Sequence, residues 1–93
     1  MSDEKEKFYK GYKAYENDCH HIAKLSEAMK AKMLSTQDKG RGGWEDPDQV
    51  TDQELSDQLR RHVLKGDPVD VANYCMMLFA RGGSILPEKN KEF

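Results

Sequence analysis

The sequence predicts an all-α fold: one long N-terminal helix plus an antiparallel two-helix hairpin, assembling as a helical-bundle oligomer. Three observations carry this. Apolar residues from Phe8 to Met33 recur at alternating steps of four and three, and no proline occurs before Pro47. Two helix-start patterns, at Thr51 and at Asp67, flank a Lys65-Gly66 stop. The run 71–80 is apolar at every position except Asn73, and a helix apolar nearly all round is normally buried on most sides. That last helix is therefore expected to be the central element.

Helix 1 is predicted over residues 3–34. Ser2 is a capping residue, and Asp3 and Glu4 suit the positive end of a helix. Phe8, Tyr12, Tyr15, Cys19, Ile22, Ser26, Met29 and Met33 keep a heptad register, the pattern of a helix seam. Gly11 and Asn17 weaken the helix by roughly 1 kcal/mol or less each. At 1.5 Å per residue such a helix is roughly 45–50 Å long, more than a short hairpin covers. Its surplus seam is expected to pack on another copy of the chain. Phe8, Tyr12 and Tyr15 read as helix-interface residues ahead of a stacking platform for a base. His20 and His21 point about 100° apart and do not form a chelating pair.

Residues 35–50 turn to Ser, Thr, Gln, Asp, Gly and Pro, which predicts a loop. Within it, Lys39-Gly40-Arg41-Gly42-Gly43-Trp44 combines backbone freedom, positive charge and an indole, features that suit a phosphate-bearing ligand. It is neither a P-loop nor a dinucleotide fingerprint, and a plain connector anchored by Trp44 is the competing account. Helix 2, over 52–65, opens with a Thr51/Glu54 capping box and a Val50/Leu55 staple. Leu55, Leu59, Val63 and Leu64 form its expected buried stripe, with Asp57, Arg60 and Arg61 opposite. Helix 3, over 68–81, opens with Asp67 as cap and Pro68 at the first helical position. So short a turn makes the hairpin antiparallel. Residues 84–93 are expected to form a flexible tail from which Ile85, Leu86 or Phe93 docks on a neighbour.

Ninety-three residues make one small domain, and 34% charged against 37% hydrophobic residues leaves a lean core. The formal charge of −2 provides no general attraction to nucleic acid, and no basic recognition helix is present, so direct DNA binding ranks lowest. Cys19 and Cys75 fall in apolar patterns and read as small buried hydrophobes, not a disulfide framework. No secretory segment and no membrane-spanning run is apparent, which places the chain by expectation in a reducing cytosol, away from membranes.

Glu54-x-x-Asp57 and Asp67-x-x-Asp70 put paired carboxylates on neighbouring helices, an arrangement able to hold Mg²⁺, although helix capping accounts for Glu54, Asp67 and Asp70 without a ligand. The arrangement resembles a shortened MazG-type all-α nucleotide pyrophosphohydrolase. That resemblance implies Mg²⁺-dependent nucleotide cleavage through Glu54, Asp57, Asp67 and Asp70, with Asn73 as a polar residue one turn on. The run GRGGWEDPDQVTDQELSDQLRRHVLKGDPVDVANYCMML also resembles a segment of small tailed-phage and prophage proteins, and the end of some phage proteins of dATP/dGTP diphosphohydrolase-like type. Asn73 reads either as a register-setting polar partner at an oligomer seam or as a ligand contact.

The leading expectation is a non-enzymatic oligomer that holds a nucleotide-like phosphate ligand through Lys39, Arg41, Trp44, Arg60, Arg61 and Asn73. In a phage setting its use would be to sequester a host immune nucleotide signal in the host cytoplasm. The alternatives are the Mg²⁺-dependent pyrophosphohydrolase, and a protein inhibitor that docks on a host defence protein through helix 1.

Overall fold

In the computed structural model, residues 3–40 and 42–89 are described. They form three helices and no strand: α1 (Asp3–Asp38), α2 (Asp52–Lys65) and α3 (Pro68–Ala80). Ser2, Arg41 and Phe93, each singled out in the sequence, lie outside the described residues.

The hairpin forms where its local signals stand. The Thr51 hydroxyl accepts from the Glu54 amide, and the Glu54 carboxylate accepts from the Thr51 amide, which completes the capping box. Gly66 ends α2 in the left-handed region (φ 83°), its N–H donating to the carbonyls of His62 and Val63. Asp67 then caps α3 by accepting from the Val69 amide at 2.9 Å, with Pro68 in the first turn. That amide holds the Asp67 carboxyl below its ordinary value of 3.8. The two helices run antiparallel. Arg81 at the end of α3 pairs with Asp52 at the start of α2, while His62 near the end of α2 meets Asp70 near the start of α3.

α3 is central, packing on both other helices, which do not pack on each other. Leu55 and Leu59 of α2 and Met77 and Leu78 of α3 make the buried core, with Met33, Trp44, Val50, Val71, Tyr74 and Met76 packed round it. At about 1.5–3 kcal/mol per buried side chain, four such residues are thin support for a chain of this length. Two polar side chains are buried with them, Ser56 and Asn73.

α1 ends at Asp38, a full turn later than expected, because Ser35 and Thr36 do not break it. The Thr36 hydroxyl donates to the Lys32 carbonyl, and the Lys39 amide still reaches Ser35 and Thr36. Gly40 (φ 73°) then turns the chain. No residue of α1 is buried. Its described contacts with α3 fall late in the helix: Lys32 pairs with Asp70, and Asn73 Nδ2 donates to the Met29 carbonyl at 3.3 Å. Phe8, Tyr9, Tyr12, Tyr15 and Ile22 are more than half exposed on the stretch that precedes these contacts.

Further expectations need correction. Val63 (54% exposed) and Leu64 (88%) lie outside the core, because the stripe that meets α3 runs through Leu55, Ser56 and Leu59. Cys19 and Cys75 are exposed, as is Phe79, so α3 is central without being covered all round. The start of the tail is tied to α2 and not loose: the Leu86 amide donates to Ser56 Oγ at 2.9 Å, and Gln53 Nε2 donates to the Pro87 carbonyl. That contact is what makes a fully buried serine tolerable in the core.

Candidate functional site

The loop between α1 and α2 is shaped by its glycines and by one arginine. Gly43 takes φ 89°, a conformation in which a side chain is strained. Asp46 nucleates a turn, its side chain accepting from the Asp48 amide and its carbonyl from Gln49 and Val50. Arg81 fixes the loop to the hairpin. Its Nη1 donates to the carbonyls of Trp44 (3.1 Å) and Val50 (2.6 Å), and its Nη2 lies 3.2 Å from Asp52 Oδ1. Trp44 is thereby held half-buried against the core.

Between this loop, the last turns of α1 and the two hairpin helices lies a groove of about 520 Å³. Met33, Val50, Leu55 and Met77 make its apolar floor, and Trp44 forms part of its wall. Lys32 and Lys39 approach from α1 and its end, and Lys65 from the last turn of α2. Ser35, Thr36 and Gln58 add neutral hydrogen-bonding groups. Inside, His62 stacks on Tyr74 with ring centroids 5.1 Å apart. The groove's single lining carboxylate among the described residues, Asp70, has partners on both oxygens: Lys32 Nζ at 3.5 Å and His62 Nδ1 at 3.3 Å. The His62 contact is an ion-pair approach and not an aligned hydrogen bond.

Of the residues singled out for ligand binding, the structure brings together Lys39 and Trp44. Arg60 and Arg61 face elsewhere, lining a separate hollow with Asp57, Leu64, Glu88 and Lys89. The helical turn puts them on a different face of α2 from Gln58, His62 and Lys65. Arg60 is engaged there by Asp57 at 2.9 Å. Asn73 lies on the far side of the α1–α3 contact, in an apolar groove with Ser26, Met29, Lys30, Met33 and Met76. Its Oδ1 is buried without a partner.

Sequence reasoning missed Lys32, His62, Lys65 and Tyr74. The available signal was the spacing of Lys32 and Lys39, seven apart and so on one helical face. The four carboxylates of the metal alternative do not converge. Glu54 and Asp67 cap helices, Asp57 is held by Gln53 and Arg60, and Asp70 faces His62 and Lys32. Among the described residues no group of three or more His, Cys, Asp or Glu side chains is placed to hold a metal ion. Among them, too, no helix is long and apolar enough to cross a membrane. No protein-family model, curated protein or solved structure matches the chain.

Proposed function

We propose that this chain is a small helical binding protein that holds a nucleotide-like phosphate ligand in the groove beneath Trp44, as part of a homo-oligomer. One observation carries the proposal. Lys32, Lys39 and Lys65 meet at a groove walled by Trp44, whose only lining carboxylate among the described residues is already paired. A ring beside a base contributes on the order of 1–3 kcal/mol. Lysine ammonium groups act as point charges for phosphate oxygens. Arg60 and Arg61, which line another hollow, have no part in this site. Nor do Glu54, Asp57, Asp67 and Asp70 converge, and among the described residues no clustered ligand set of the kind Mg²⁺-dependent cleavage needs is present. The resemblance of the 40–78 segment to tailed-phage proteins supports a use in sequestering a signalling nucleotide within the host cytoplasm.

The test is a thermal-shift screen against mononucleotides, cyclic dinucleotides and ADP-ribose derivatives, followed by mass spectrometry of ligand released on denaturation. A bound nucleotide recovered intact, with affinity lowered at least about tenfold by Lys39→Ala or Trp44→Ala, is the expected result. No binding across the panel, or binding indifferent to both substitutions, refutes it. Pyrophosphate released from a nucleoside triphosphate in Mg²⁺ would return the pyrophosphohydrolase account.

A further inference from the structure

Two apolar surfaces lie end to end on one face of α1. The first is the apolar groove of about 330 Å³ between α1 and α3, lined by Ser26, Met29, Lys30, Met33, Asn73 and Met76. The second is the bare stretch before it, where Tyr15 is 64% and Ile22 63% exposed and Cys19 is exposed as well. Both belong to the same heptad register. A groove and a ridge that are consecutive on one helix are both covered when a second copy lies antiparallel across them. In a parallel pairing the two hairpins would stand side by side and each groove would stay open.

We infer that two copies of this chain pair antiparallel through α1, each seating its Tyr15–Ile22 ridge in the other's α1–α3 groove. Charge fixes the register. With Ala23 facing the partner's Ala23 across the two-fold axis, Glu16 falls opposite the partner's Lys30, and the symmetry makes that pair twice. Both side chains are exposed and flank the seam; within the chain Glu16 makes only a loose 3.6 Å approach to Lys13. The same register sets the partner's Tyr15 against Met33, the partner's Cys19 against Met29 and the partner's Ile22 against Ser26. A slip of one heptad keeps apolar layers in contact but leaves Glu16 facing Ala23 in one direction and Gln37 in the other. Small Ala23 on the axis permits close approach. At the level of the partner's Cys19 lies Asn73, whose buried Oδ1 lacks a donor in the single chain. The pairing also carries the partner's Phe8 and Tyr12 toward Thr36 and Gly40, the end of α1 that opens on the lysine groove.

This deepens the assembly part of the proposed function and stands independently of its ligand. Light scattering coupled to size exclusion should give twice the 10.7 kDa chain mass at micromolar concentration. Glu16→Lys and Lys30→Glu each replace two attractions by two repulsions at exposed positions, and each should weaken pairing by about tenfold or more. An equimolar mixture of the two variants restores both attractions and should recover the dimer. A wild-type monomer at about 100 µM, an assembly that neither variant weakens, or a mixture that fails to re-pair overturns the inference. The nucleotide panel run on Glu16→Lys separates the two claims, because the lysine groove belongs to one chain and a monomer that binds leaves the ligand proposal standing.

Discussion

Arg81 is the residue whose loss should separate the loop from the hairpin. Its side chain is 10% exposed and meets three acceptors on two segments: the carbonyls of Trp44 and Val50, and the Asp52 carboxylate. Arg81→Ala removes every one of these contacts. A hydrogen bond from a charged donor is worth about 1.5–3 kcal/mol, and water can repair only the more exposed partners. Neither the Asp52 Oδ1 atom, itself buried, nor the Val50 carbonyl, on a half-buried residue, is easily resolvated. The net loss should therefore be about 3 kcal/mol, the strength of one or two such bonds. For a domain of this size that lowers the melting temperature by roughly 12–24 °C. Trp44 is the reporter: urea denaturation followed by its fluorescence should give a lower midpoint, and native emission should shift to the red as the indole gains solvent. Arg81→Lys keeps the charge but has no planar fork to span three acceptors, so it should fall between the two. If Arg81→Ala melts within about 4 °C of wild type with unchanged Trp44 emission, the arginine does not organise the loop.

Two further outcomes follow from the same hairpin. The folded-state pKa of Asp67 lies below 3.8, so its contribution to stability is fully present above that value and lost as pH falls through the folded pKa. The melting-temperature gap between wild type and Asp67→Ala should thus stay constant from pH 7 to about pH 5 and narrow in more acid buffer; a gap that widens there is the opposite sign and refutes the capping role. A methyl group on Gly83 would come within 2.9 Å of Asp52 Oδ2, so Gly83→Ala should push Asp52 off Arg81 and reproduce a weaker form of Arg81→Ala. Additive losses in the double variant would show that the two sites are independent.

What could be read in the sequence was local. Thr51, Glu54, Gly66, Asp67 and Pro68 act on amides and carbonyls within a few residues, so their spacing alone placed the hairpin. The apolar run of α3 announced its central position because a helix touching two neighbours needs two apolar faces. α1 runs on through Ser35 and Thr36, where composition predicts a loop, because this threonine bonds back into its own turn although serine and threonine weaken helices on average. The candidate site was only half legible. Arg81 acts on partners 31 and 37 residues away, a contact no spacing rule reveals. Lys32 and Lys65 read as ordinary solvated charges until the turns of α1 and α2 aimed them at one groove. Arg60 and Arg61 adjoin that groove in sequence and miss it by the rotation of one helix.

α1 contributes 36 helical residues against 14 in α2 and 13 in α3, yet none of its residues is buried. In a lone chain its first two-thirds would have the stability of a free peptide, and helices without tertiary support are marginal in water. More than a third of the far-ultraviolet ellipticity would then come from a segment that the core does not hold, melting broadly and, once α1 pairs, at a temperature set by protein concentration. Amide exchange should divide accordingly, with slow protons in the hairpin and fast ones before Ser26 that slow as the sample is concentrated. With α1 paired as inferred, more than a third of the helical backbone would owe its order to the solution and not to the single molecule.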